Sequence, residues 1–141
     1  MKYFFTIYIT FLLFSGTHAQ SGVLKIDISG IDTRKGGELR TAVYDKQNYV
    51  NMDIQIAYKV IKVKNEFAKV IFDDVEEGVY AVAVFQDIDK DRLLGKNMFG
   101  LPNEPYGFSN NIYGKGGPPS FDDISFKLEA GKSIIIKINL N

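Results

Sequence analysis

The chain has 141 residues, with 17 basic and 17 acidic side chains, one histidine and no cysteine. Acids and bases alternate instead of forming blocks, so no basic stripe exists to neutralise a phosphate backbone and a nucleic-acid partner is not expected. Without cysteine there are no disulfide staples, and stability has to come from a core, from sheet pairing or from a bound metal.

The first residues read as a targeting segment. Lys2 gives a minimal positive start, residues 3–14 form an uncharged apolar run, and Thr17-His18-Ala19 places small residues at the −3 and −1 positions of a cleavage site. This is the organisation of a secretory signal peptide over residues 1–19, followed by one domain over residues 20–141. The apolar core is shorter than the ~20 residues that a membrane span needs. The expected product is secreted or periplasmic, with no transmembrane segment after cleavage; an uncleaved N-terminal anchor is the alternative. His18, the single histidine, leaves with the leader.

Period-two patterning dominates the rest. In residues 23–29, Leu24, Ile26 and Ile28 alternate with polar side chains, which describes a strand with one apolar face. Glycines at 30, 36 and 37 lead to a second strand over 38–44, and residues 45–51 suggest a single helical turn. A third strand over 56–64 is expected to turn at Asn65-Glu66 and pair with a fourth over 67–72 as a hairpin. Residues 78–85, GVYAVAVF, form a nearly continuous β-branched and aromatic run that suits a central strand covered on both faces. Residues 124–128 and 133–140, joined by a turn at Ala130-Gly131, end the chain. About seven strands of this kind predict an all-β antiparallel sandwich of immunoglobulin-like or transthyretin-like size, with a small closed barrel as the competing architecture.

Between Phe85 and Ile124 the chain carries Phe, Tyr, Gly and Pro but no convincing long strand. Long connections in compact domains are functional or disordered, and the aromatic content predicts an ordered cover laid on the sandwich.

Three stretches carry a resemblance: FDDVEEGVYAVAVFQD at 72–87, PYGFSNN at 105–111 and GPPSFDD at 117–123. Together they resemble a family of bacterial secreted proteins known as domain of unknown function 2141. The resemblance implies an exported β-sandwich and supplies no activity, substrate or catalytic residue. This chain departs from the family pattern at Gln86, where a histidine is frequent, at Arg92, where a glycine is common, and at Gly95, where the acidic loop ends in an acid.

Asp87, Asp89 and Asp91 occupy the first, third and fifth places of a D-x-D-x-D loop, and the carbonyl of Leu93 is placed to add a fourth oxygen to a calcium site. The full EF-hand pattern is not met, because Arg92 stands at the glycine place and Met98 at the bidentate acid place. The alternative is a solvated turn in which the aspartates bond to their own backbone and Lys90 and Arg92 act as counter-ions.

Tyr106, Phe108, Asn110, Asn111 and Tyr113 bring aromatic faces beside amides, the combination that a glycan surface needs, with contact to another extracellular protein as the blander reading. The alternative makes Phe99, Phe108 and Phe121 buried anchors, with Asn110 and Asn111 satisfying loop backbone. Loss of histidine and lack of cysteine leave no Ser-His-Asp, Cys-His or common zinc site. The expectation is a non-catalytic binding or structural module. Its rival is a carboxylate-based hydrolase of an extracellular polysaccharide, drawing on Asp73-Asp74, Glu76-Glu77 and Asp122-Asp123.

Overall fold

The computed structural model describes residues 20–52 and 54–141. The expected signal peptide, residues 1–19, lies outside them. Eight strands form two sheets: β1 (Gly22–Ser29), β2 (Glu38–Tyr44), β3 (Ala57–Lys62), β4 (Ala68–Val75), β5 (Gly78–Asp87), β6 (Tyr106–Phe108), β7 (Phe126–Leu128) and β8 (Ser133–Asn139). Two single-turn helices, α1 (Lys46–Tyr49) and α2 (Phe121–Ile124), and a 3₁₀ turn (Ser109–Asn111) complete the fold. No helix among the described residues is long and apolar enough to cross a membrane.

One sheet has the order β4-β1-β8, and the other runs β3-β2-β5-β6 with β7 also on β5. The first and last strands pair in parallel, Leu24 opposite Ile134 and Ile28 opposite Ile138. The alternation read in β1 is realised: Leu24, Ile26 and Ile28 are fully buried between the sheets, against Leu39 and Val43 of β2 and Val82 and Val84 of β5. The sandwich is open, with two separate sheets, and not the closed barrel.

The expected β3–β4 hairpin does not form. β3 pairs with β2, and β4 pairs with β1 in the opposite sheet. Residues 63–67 carry the chain across, and five residues at up to ~3.3–3.6 Å each easily span the ~10 Å between stacked sheets. The turn at Asn65-Glu66 therefore marks a corner of the sandwich, a distinction that local turn chemistry does not encode.

The both-sided burial expected for β5 is present. Its other face, with Ala81 and Ala83, joins Ala42 and Tyr44 of β2 beneath a second apolar cluster of Tyr49, Phe108, Phe121 and Ile124. The short helices exist to deliver those side chains. Asp45 caps α1 by accepting from the Asn48 amide at 2.8 Å, and the Ser120 hydroxyl caps α2 by accepting from Asp123 N at 3.3 Å.

The long excursion packs as an ordered cover. β7 takes the edge of β5 along Gly78–Tyr80 and β6 takes it along Ala83–Phe85. In the gap between them, the buried Ser109 hydroxyl accepts from Val82 N at 3.0 Å and donates to the carbonyl of Ile124. Gly107 lets β6 lie against β8, since a Cβ there would sit 2.7 Å from Ile138 Cγ2.

Candidate functional site

The site is built where β5 ends. Side chains alternate along a strand, so Gln86 and Asp87 leave β5 on opposite faces. Asp87 falls on the outer face of the larger sheet, with Glu38 directly opposite on β2 and Arg40 two residues along. Both Asp87 and Arg40 are buried. Arg40 donates through Nε to Asp87 Oδ2, through Nη2 to Glu38 Oε2 at 2.9 Å, and through Nη1 to the Tyr58 hydroxyl of β3 at 2.7 Å. Burial pushes the Asp87 carboxyl upward, but the hydrogen bonds from the Arg40 side chain and the Arg92 amide outweigh it and hold the group below the ordinary carboxylate range.

The chain then folds back over Asp87. Arg92 N donates to Asp87 Oδ2 at 3.1 Å, Asp91 N to Asp89 Oδ1 at 3.1 Å, and Leu93 N to Asp91 Oδ1 at 2.7 Å. Lys90 and Arg92 adopt positive φ, 62° and 71°, so the loop makes the sharp bend expected of a glycine while carrying an arginine there. A left-handed non-glycine residue costs roughly 1–2 kcal/mol. Asp87, Asp89 and Asp91 each present a carboxylate oxygen within 4.8 Å of the others, the one such acidic group among the described residues. Leu93 follows on the exposed side of the same loop.

One atom in this arrangement stands out. Asp87 Oδ1 is buried and has no hydrogen-bond partner, although a buried carboxylate oxygen without a donor costs free energy. The ion pair to the cluster comes from Arg40, on a neighbouring strand, and not from the Lys90 and Arg92 counter-ions of the solvated-turn alternative.

One further residue holds the loop, and the sequence alone does not reveal it. Glu104, buried, accepts from Ile88 N with Oε1 and from Gly95 N with Oε2, both at 2.8 Å, so one carboxylate clamps both ends of the loop. Gly95 fits because a Cβ there would come within 2.5 Å of Asn103 Oδ1. Gln86, fully buried on the inner side, accepts from Asp32 N at 3.0 Å and donates to the carbonyls of Asp32 and Gly36 at 2.8 and 2.7 Å. The Gln86 departure therefore bears on the β1–β2 loop and not on the acidic cluster. A backbone clamp of this kind has no spacing signature, because its partners are main-chain atoms distant in sequence. The same-face spacing of Glu38 and Arg40 was the one available hint of the ion pair.

The aromatic stretch is engaged with the fold. Phe108 is buried in the second cluster, whereas Tyr106 and Tyr113 are half-buried and meet edge to face at 5.8 Å. The Tyr113 hydroxyl donates to the Asn139 carbonyl. Asn110 Nδ2 donates to the carbonyls of Asp123 and Ser125 at 3.0 and 3.1 Å. Asn111 bonds Lys137 O at 3.2 Å and Asn139 N at 2.8 Å, pairing with the edge of β8 as a strand residue would. Phe121 is buried as the anchor alternative requires, but Phe99 is not an anchor, being 79% exposed. It sits in the turn closed by Asn97 and Leu101.

The acidic doublets fall elsewhere. Asp122 pairs with Lys46 at 2.8 Å, and Asp123 accepts from the Ser120 hydroxyl at 2.6 Å. Asp73, Asp74 and Glu76 line an open cleft of about 580 Å³ with Asp45, at the end of β5 opposite the aspartate loop.

The profile of a bacterial family described as "Uncharacterized protein conserved in bacteria (DUF2141)" matches residues 26–136. No curated protein and no solved structure matches the chain. The matched span runs from the middle of β1 to the middle of β8 and includes Arg40, Asp87, the aspartate loop and Glu104. The chain belongs to this bacterial family of uncharacterised proteins.

Proposed function

We propose that this chain is an exported, non-catalytic β-sandwich module whose aspartate loop is steadied by a calcium ion. The observation that carries the reading is Asp87 Oδ1, buried without a donor beside the carboxylates of Asp89 and Asp91. A divalent cation supplies what that oxygen lacks and relieves the repulsion among three acids. Oxygen-only ligands in a loop that bends like a calcium loop favour calcium over a metal that needs nitrogen or sulfur. Arg40 occupies Asp87 Oδ2, which leaves Asp87 as a monodentate ligand and places a positive charge nearby. Both features weaken the site, to a Kd on the order of 0.1–1 mM, the range of extracellular modules. Export rests on the leader-like pattern of residues 1–19.

The glycan reading of Tyr106, Phe108, Asn110, Asn111 and Tyr113 has less support, because their amides and the Tyr113 hydroxyl are committed to backbone partners. Isothermal titration and thermal unfolding with calcium or chelator test the proposal. Calcium at ten times its Kd stabilises the fold by about 1.4 kcal/mol, and Asp89→Asn removes the effect. An unchanged melting temperature and a titration without heat would refute it.

A further inference from the structure

Residues 95–103 form a small hairpin that follows the aspartate loop. Its base is tied by Asn103 N to Gly95 O at 3.0 Å and by a bridge between Lys96 and Pro102. Asn97 organises the tip: its amide donates to Leu101 O at 2.8 Å and its carbonyl accepts from Gly100 N at 2.9 Å. Its side-chain oxygen accepts from Phe99 N and Leu101 N at 2.9 and 3.1 Å. On this framework Met98 is 92% exposed and Phe99 79% exposed, with Leu101 and Leu93 also open to solvent.

We infer that this hairpin is a cation-gated anchor for an anionic lipid surface. Three observations favour a bilayer as the occupant. Met98 and Phe99, the two most exposed large apolar side chains of the loop, are adjacent at the hairpin turn, where both can enter the headgroup layer together. The tip amides of Asn97, Phe99, Gly100 and Leu101 are satisfied inside the hairpin, which lowers the cost of bringing this segment into a water-poor layer. Residues 87–104 carry Asp87, Asp89, Asp91 and Glu104 against Lys90, Arg92 and Lys96, a local charge of −1 that a bound divalent cation reverses to +1. The empty loop repels an anionic surface, and the loaded loop is drawn to it through Lys90, Arg92 and Lys96. The gating rests on the calcium reading above, whereas the apolar tip does not depend on it.

The test is flotation of the full chain with vesicles of phosphatidylcholine mixed with phosphatidylglycerol, in calcium or in chelator. A Met98→Ser, Phe99→Ser variant serves as comparison, and the N-terminal apolar run, common to both proteins, cancels. Calcium raises vesicle binding of the parent chain by about tenfold or more, since each charge near such a surface is worth about 1 kcal/mol. The serine variant loses that increase while its calcium titration without vesicles is unchanged. Equal binding of parent and variant overturns the inference, as does a tip that drives self-association in sedimentation instead of vesicle binding. Calcium uptake without vesicle binding sinks this inference alone. Absence of calcium uptake removes the gate together with the function proposed above.

Discussion

Arg40 donates through Nε to Asp87 Oδ2 across the β2–β5 pair, and both side chains are shut away from solvent on the outer face of the larger sheet. Removing one member of a buried pair strands the other charge. Arg40→Ala is expected to destabilise the protein by about 3–5 kcal/mol in denaturant titrations. Calcium should recover more stability in this variant than in the parent, because the unpaired Asp87 carboxylate then offers both oxygens to the cation.

Glu104 is a clamp on the backbone, and an amide cannot copy it. In Glu104→Gln one side-chain oxygen remains to accept, so either Ile88 N or Gly95 N loses its partner. A loss of about 1–3 kcal/mol follows from one buried donor left unsatisfied. Hydrogen exchange should report it locally, with faster exchange at whichever of these two amides is released and little change in the strands.

Arg92 bends with φ of 71° where glycine bends freely. Arg92→Gly is expected to stabilise the fold by about 0.5–1 kcal/mol, the left-handed cost recovered less the larger chain entropy of glycine. It also removes a positive charge beside the aspartates, so calcium affinity should rise in the same titration. A variant that is less stable and binds calcium no better would remove the analogy with calcium loops.

Tyr49 is buried beneath the second cluster and donates to the Pro119 carbonyl at 2.8 Å. Burial, and secondarily the neighbouring Tyr44, push its hydroxyl up to about 12 from an ordinary 10.0. A raised folded-state value stabilises the protein fully below the unfolded value and is lost as the hydroxyl ionises. Stability should therefore fall as pH climbs from about 10 through 12. Burial raises Tyr80 and Tyr113 as well, so they add to the slope. Unfolding measured across this window should show a shallower decline in Tyr49→Phe, and in the parent chain the phenolate absorbance of Tyr49 should appear late.

The sandwich was legible because its signals are local and repetitive. Leu24, Ile26 and Ile28 announce one buried face, and the unbroken 78–85 run announces burial on two. The three-residue β6 escaped notice, since Tyr106-Gly107-Phe108 is too short to show a period and is held by Gly107 fitting against β8. In the site, the aspartate spacing was visible but its surroundings were not. That Arg40 meets Asp87 depends on the β2–β5 register, and that Glu104 reaches Ile88 and Gly95 depends on how an 18-residue connection closes on itself. The exposed Phe99 shows the converse, because an aromatic residue in a long loop carries no mark that separates an anchor from a protruding tip.

The opposed orientations of Gln86 and Asp87 have a consequence for assembly of the sheet. Gln86 grips the Asp32 and Gly36 carbonyls on one side while Asp87 meets Arg40 on the other. A slip of β5 by a single place would exchange the two faces, thrusting a carboxylate into the apolar interior and abandoning both grips at once. The pair thus fixes the register of β5 energetically, since a shifted pairing forfeits the contacts of both residues.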